Sequence, residues 1–368
     1  MYSNYQVVDY NTRSTLGFNS ASAYASSVLT DLVGLLTGTI TSVSQLSSYA
    51  DKSICSLQGA AGNWTVYDAD AHPGFPGLGK VLRRLCVDGI NYQYLFLAFK
   101  VSTMADIIGG VFGVMGGWNT ATKSPTTPMY LQNNTVILAG TAVTAVNVNI
   151  GLNSGNYFGS ADSFHFNTGG AQTRPSVPYK ILCTGDLLAI WPDPVSSGIS
   201  FPQLVLAEYN NLNPWSNSAS GAAPIVYTVG NSSTAYMPVN APLIKNSVGN
   251  LVIPDFVGLS SVAGNSSDSA AVTTGFNGPS SFIYDYARNA AGNKAIPVLP
   301  IDITLRTASG GYFCYAGRLR SLFATLPVLA VSDTFLVGTD TYVIIPTGRY
   351  HPDTALYSSS GKLCAKIQ

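Results

Sequence analysis

The sequence predicts a mainly β chain, built as β-sandwich or barrel-like domains with a short N-terminal helical segment. Three observations carry that prediction. Gly (36), Pro (20) and Tyr (21) are abundant in the 368 residues, with Ser, Thr and Asn between them, which is the vocabulary of strands and turns. Glu208 is the only glutamate among the 18 acidic residues; the others are aspartates, which favour caps and turns over helix interiors. Toward the C-terminus, apolar runs recur with turn residues about 8–12 positions apart, the rhythm of a sandwich or barrel.

Residues 1–19 read as an extended arm ending in a Gly-Phe-Asn turn. The arm is short and polar, so it is expected to lie on a neighbouring subunit. Residues 20–36 are the best helix. Ala21, Ala25, Val28, Leu29, Leu32 and Leu36 recur mostly at steps of three and four, Asn19 or Ser20 supplies a cap, and Gly34 and Gly38 weaken the end. A second short helix is expected over 42–50. A short strand follows at 64–67. The run 92–99 is apolar on both alternating faces, as a central strand would be. Residues 104–117, rich in glycine, fit either class, and the Thr/Pro-rich 119–128 reads as a linker or exposed loop.

Beyond that point nearly everything reads as strand and turn. Runs at 129–131 and 136–138 flank Asn133-Asn134, a hairpin signal. Ala142, Val146, Val148 and Ile150 share one face of a further strand. Residues 151–178 form a long Gly/Asn/Ser-rich loop. Strands are then expected at 181–191, 203–209, 224–229, 282–286, 301–305, 312–315, 335–337 and 342–345. Gly230-Asn-Ser-Ser and Gly264-Asn-Ser-Ser are alike but too short to make a repeat. The expected domains are residues 1–125 (arm, helix and small β region) and 126–368 (all-β).

Composition excludes several function classes. Lys+Arg and Asp+Glu are both 18 and charged residues make up 10%, against a typical ~25%. Balanced charge gives no general attraction for nucleic acid or an anionic membrane. With 46% hydrophobic residues the chain is not a disordered one. So few charges suit a surface largely covered by neighbours. Residues 1–14 lack a basic region followed by an apolar core, so no targeting segment is expected. The apolar stretches 28–40 and 104–118 are shorter than the ~20 residues that span a bilayer and contain Asp31 and Asp106.

No motif selects a chemistry. Gly74-Phe-Pro-Gly-Leu-Gly79-Lys80 fits the first seven positions of a phosphate-binding P-loop. Val81 then stands where Ser or Thr must hold magnesium, and Pro76 removes a cradling N–H; a tight surface loop is the better reading. Asp68, Asp70 and His72 are spaced by two and would share a strand face, as cation ligands do, yet a solvated strand end explains them equally well. His165 and His351 are isolated. Arg83-Arg84 and the pair Arg318 and Arg320 fit strand ends or a neighbour's carboxylates better than nucleic acid. Trp118, Trp191 and Trp215 read as core or interface before sugar platforms. Sequons begin at Asn63, Asn133, Asn231 and Asn265. Cys55, Cys86, Cys183, Cys314 and Cys364 are widely spaced without a C-x-x-C pair, so buried free thiols are favoured over zinc. No catalytic residue, cofactor site or metal site is therefore assigned.

Several segments carry a resemblance. They are Gly62-Asn-Trp-Thr-Val-Tyr67, Arg84-Leu-Cys-Val-Asp-Gly-Ile-Asn-Tyr-Gln-Tyr-Leu95 and Pro297-Val-Leu-Pro-Ile-Asp-Ile-Thr-Leu305, then Gly317-Arg-Leu-Arg-Ser-Leu322 and Asp333-Thr-Phe-Leu-Val-Gly-Thr-Asp-Thr-Tyr-Val-Ile-Ile-Pro346. Together with the helix before them and Arg349 after them, they resemble tailed-bacteriophage virion proteins. Residues 119–280 match nothing in that family. The resemblance implies a non-enzymatic structural subunit of the tail, baseplate or neck. It implies assembly in the bacterial cytoplasm, into a symmetric homo-oligomer with other virion subunits as partners, and no nucleic acid or membrane. The alternative is a host-receptor component of a tail fibre or collar, with loops 151–178 and 210–223, Tyr157 and Trp215 forming a glycan surface. A depolymerase would need a placed pair of carboxylates that the sequence does not single out.

Overall fold

The structure is a computed structural model. It describes residues 6–10, 21–59, 63–72, 77–87, 89–101, 108–131, 136–144, 147–148, 164–165, 179–192, 203–211, 224–229, 252–256, 298–307, 313–325, 332–345 and 362–367. The chain divides into two compact units, 1–195 with 201–204, and 196–200 with 205–368. The Thr/Pro-rich stretch near residue 125 lies within the first unit.

In the first unit the elements run β1 (Gln6–Tyr10), α1 (Ala21–Thr37), a 3-10 turn (Val43–Gln45), β2 (Ser56–Gly59), β3 (Thr65–Asp68), β4 (Gly79–Leu85), β5 (Tyr92–Val101) and β6 (Ile108–Met115). Then come β7 (Trp118–Asn119), β8 (Ser124–Pro125), β9 (Met129–Leu131), β10 (Val136–Ile137), β11 (Phe164–His165), β12 (Tyr179–Cys183) and β13 (Leu187–Pro192). A seven-stranded antiparallel sheet has the order β10-β9-β6-β5-β4-β3, with β11 also on β6. β7 and β8 form a small ribbon, and β2, β1, β12 and β13 pair successively in a separate antiparallel sheet.

β5 is central, as its two apolar faces predict. One face carries Val81, Phe96, Ala98, Val111 and Met115, which pack with Trp118, Met129, Leu131, Ile137, Val143 and Val148. The other carries Leu82, Leu95, Leu97, Phe99, Phe112 and Val114, all buried, and α1 packs on β3 and β5 there. α1 matches the expected helix closely, with Ala25, Val28, Leu29, Leu32, Leu35 and Leu36 buried. Gly38 (φ 74°) reverses the chain, and the Ile40 N–H donates to the Gly34 carbonyl (3.0 Å). A Cβ on Gly34 would stand 2.5 Å from Ile40 Cδ1, so glycine there permits the return.

The second unit holds β14 (Gln203–Asn211), β15 (Pro224–Val229), β16 (Val252–Phe256), β17 (Leu299–Thr307), β18 (Phe313–Thr325), β19 (Thr334–Val337), β20 (Asp340–Ile345) and β21 (Lys362–Lys366). β18 is its spine. It pairs with β17, with β14 through Tyr209↔Leu319 and with β21 through Leu322↔Ala365. Pro300 is tolerated in β17 because the register breaks beside it. β20 joins β21 to β19, and Phe335, Tyr342, Ile344 and Cys364 form a small core with Phe323.

Four expectations need correction. Residues 6–10 are not free for a neighbour: β1 lies between β2 and β12 of its own chain. The second helix is only the 3-10 turn, because the Ser47 N–H donates to the Asp31 carboxylate (3.0 Å) and not to a carbonyl one turn back. Residues 119–128 are no loose linker. Ser124 and Pro125 are buried, Thr126 N–H donates to the Gly117 carbonyl and Gly140 N–H to the Pro125 carbonyl. Around 142–148 the chain turns, because Asn147 accepts from the Thr144 N–H and donates to the Ala142 carbonyl. The expected strand at 282–286, the two Gly-Asn-Ser-Ser stretches and most of loop 151–178 lie outside the described residues.

Since β1 is a two-sided strand, removing residues 1–10 should unfold the first unit's smaller sheet. The two ladders are worth on the order of 5 kcal/mol; urea unfolding followed by circular dichroism should show that loss in the isolated protein.

Candidate functional site

The polar centre of the first unit is built on a bulge. β3 and β4 pair as Thr65↔Arg83 and Val66↔Leu82, then skip to Asp68↔Val81. The extra residue turns the Asp68 side chain onto the core face that Val81 and Phe96 share. There Asp68 accepts from Trp118 Nε1 (2.8 Å), from Lys123 Nζ (2.8 Å to each oxygen) and from the Asp70 N–H (3.1 Å). The turn that delivers Lys123 is organised by Asn119, whose Oδ1 accepts from the Ala121 and Thr122 N–H groups. Lys123 takes φ 49°, uncommon for a residue with a side chain, and the ion pair offsets that strain. Burial would raise the Asp68 carboxyl, but the Lys123, Trp118 and Asp70 hydrogen bonds and the Lys123 charge outweigh it and hold it below the ordinary aspartate value.

The structure places Asp68, Asp70 and His72 in three different environments. Both Asp68 oxygens are engaged by donors. Asp70 is exposed and accepts from the Gly77 N–H (3.1 Å). His72 is fully buried beside Phe96, with ring centroids 6.1 Å apart. No group of three or more His, Cys, Asp or Glu side chains among the described residues is placed to hold a metal ion. Burial pushes His72 below the ordinary imidazole value, against backbone hydrogen bonding and the Asp70 charge. The P-loop-like stretch runs into β4, a strand where a phosphate site would place a helix. Lys80 Nζ donates to the Ala69 carbonyl (3.2 Å). Gly79 is required by close approach, since a Cβ there would lie 2.3 Å from His72 Cβ.

On the same sheet face, toward the β4–β5 turn, core grades into surface. Arg83 lies over the rings of Tyr67 (4.5 Å) and Tyr92 (4.8 Å), and Tyr94 meets Tyr67 edge-on at 5.2 Å. Beyond them the hairpin tip exposes Leu85, Val87, Ile90 and Tyr92. Arg84 faces the opposite way and is buried. Its Nε donates to Gln93 Oε1 (2.8 Å), its Nη1 to the Thr184 carbonyl (3.2 Å), and its guanidinium lies 4.9 Å from the Trp64 ring centre. Strand alternation thus sends the two adjacent arginines to opposite faces of the sheet.

Cys55, Cys86, Cys183 and Cys364 are buried thiols outside any disulfide. Burial pushes the Cys183 thiol up, against the Arg84 charge, the Trp64 indole and the Asn63 backbone, and pushes Cys364 up to about 12. Trp118 and Trp191 are core residues. His351, Tyr157 and Trp215 lie outside the described residues, as do the sequons at Asn133, Asn231 and Asn265. The partners of Asp68 were missed from sequence because a bulge and a left-handed lysine leave no periodic signal.

No protein-family model matches the chain, and no curated protein matches it. Among the described residues no helix is long and apolar enough to cross a membrane.

Acidification should act through two groups with the same sign. The contribution of a neutral buried His72 is complete above its unfolded value of about 6.5 and is lost as pH falls through the lower folded value. The Asp68 contribution is complete above about 3.9 and is lost as pH falls through its own lower folded value. Urea midpoints measured against pH should therefore fall in two stages, with His72→Gln removing the upper one and Asp68→Asn the lower. Trp118→Phe should cost about 1.5–3 kcal/mol at pH 7, the worth of a hydrogen bond to a charged group.

Thiol accessibility is a separate check. Cys183 and Cys364 should resist an alkylating agent at pH 8 in the native protein and react once it is unfolded in urea, as mass spectrometry would read.

Proposed function

We propose that the chain is a non-enzymatic structural subunit of a tailed-phage virion. It assembles symmetrically in the tail, baseplate or neck with copies of itself and other virion subunits. Its place would be the virion, after synthesis in the bacterial cytoplasm. The observation that carries the assembly reading is the β4–β5 hairpin tip, where Ile90 is 73% exposed, Leu85 and Val87 43% each and Tyr92 40%. Four large apolar side chains on one turn form a patch that a free protein avoids and an interface uses.

Other features point the same way. The second unit exposes Leu336 (71%) and Val337 (38%) beside the β19–β20 turn. Charged residues are only 10% of the chain, so little competes with apolar contact at the surface. The phage part of the reading rests on the resembling segments, and two of them, 84–95 and 333–346, span these hairpins. The glycan-binding alternative has less support. Its loops 151–178 and 210–223, with Tyr157 and Trp215, lie almost wholly outside the described residues.

Light scattering of the purified protein across a concentration series should give the mass of a closed oligomer. The double variant Leu85→Asp, Ile90→Asp should keep its circular dichroism spectrum. Its association should weaken by at least about tenfold, since each buried side chain of this size is worth about 1.5–3 kcal/mol. A wild-type monomer at every concentration, together with normal particles carrying the variant, would sink the proposal.

A further inference from the structure

On the sheet face that α1 covers, three residues form one cross-strand row. Arg84 and Gln93 are direct partners on β4 and β5. Trp64 immediately precedes Thr65, the partner of Arg83, and so flanks Arg84 from the β3 side. All three side chains are at most 1% exposed. Arg84 Nη2 and Gln93 Nε2 have no hydrogen-bond partner, while the Trp64 indole N–H is directed to the Cys183 sulfur. The neighbouring acceptors are already engaged, since Gln93 Oε1 receives Arg84 Nε and the Thr184 carbonyl receives Arg84 Nη1.

Charge is unbalanced there as well. Among the described residues no carboxylate stands within ion-pair distance of Arg84. Asp186, two residues from the Thr184 carbonyl that Arg84 contacts, is held by the Thr184 hydroxyl at 3.0 Å. A guanidinium cannot shed its proton to avoid burial, as a lysine or histidine can. A buried cation needs a countercharge, and buried N–H groups need acceptors. A single anion meets both needs.

We propose that Arg84 Nη2 and Gln93 Nε2, within the Trp64–Arg84–Gln93 row, form a binding site for a small monovalent anion of the chloride class. One uncompensated guanidinium calls for one negative charge. Both unpartnered groups are donors, which suits a spherical ion that accepts hydrogen bonds and donates none. Near-complete burial selects a small ion over phosphate or a peptide carboxylate. The ion ties β4 to β5, so its effect is on the stability of the first unit.

The test is thermal unfolding of the full chain at constant ionic strength, with chloride replaced stepwise by gluconate, which is too large for the site. Tm should rise saturably with chloride, by about 5 °C at saturation. In Gln93→Glu a carboxylate takes the place of the carboxamide beside Arg84 Nε and supplies the countercharge from within the chain. That variant should be at least as stable in gluconate as the wild type, and its Tm should not respond to chloride. A wild-type Tm indifferent to chloride would overturn the site, because ordered water would then satisfy the donors. An equal response in wild type and variant would overturn it too, because the effect would be general salt. Should Gln93→Glu fail to fold, chloride-35 line broadening by the wild-type protein decides. Excess broadening that bromide displaces supports the site, and its absence rejects it.

Discussion

Burial of β5 on both faces is the constraint from which the first unit follows. A strand hidden on one side tolerates polar residues at alternate positions; a strand hidden on both tolerates them only where a partner is supplied. Between Leu95 and Phe99 every side chain of β5 is buried. Its neighbours must cover it twice, with α1 on one side and the packed segments from 118 to 148 on the other. That second cover explains why residues 119–128 cannot be a free linker. They follow Trp118, which packs on Phe96, and Asp68 fastens them down through Lys123.

The two faces handle their polar residues differently. On one, Asp68 has a cation, an indole N–H and a backbone N–H, so its charge and both oxygens are satisfied within the chain. On the other, Arg84 has two neutral acceptors, an aromatic face and no countercharge among the described residues. The first arrangement is a closed clasp between β3 and the 119–123 turn. The second is donor-rich and incomplete, and for that reason it carries an inference the first does not.

Legibility followed periodicity. α1 shows in the sequence because its apolar residues recur at steps of three and four, and β5 because Tyr94 to Phe99 are apolar on both alternating faces. The β9–β10 hairpin shows through Asn133-Asn134, with Val136↔Tyr130 and Ile137↔Met129 in register. β1 does not show: Gln-Val-Val-Asp-Tyr is short, and its pairing with residues 56–59 and 179–183 is a long-range event. Nor does the Asp68 clasp, for Asp68, Asp70 and His72 look equivalent in sequence, and a one-residue bulge sends them to three different environments. The Arg84 row escaped for a related reason: Arg83-Arg84 reads as a basic pair, while strand alternation puts one arginine on a tyrosine surface and the other in the interior.

Among the described residues several charged side chains lie inside while large apolar ones stand at hairpin tips. Asp31, Asp68, Arg84, Asp186 and Glu208 are all buried, in a chain with only 36 acidic and basic residues (18 and 18). Glu208 is the single glutamate of the sequence, and it too lies inside. Meanwhile Ile90 and Leu336 stand in water at hairpin tips. Charge drawn inward fixes the register of strands, since a misplaced strand would strand a buried ion. Apolar tips turned outward favour contact with other chains, where their burial contributes free energy that the lone subunit forgoes. A subunit of an assembly meets its neighbours as its working solvent, and both halves of this distribution support that reading.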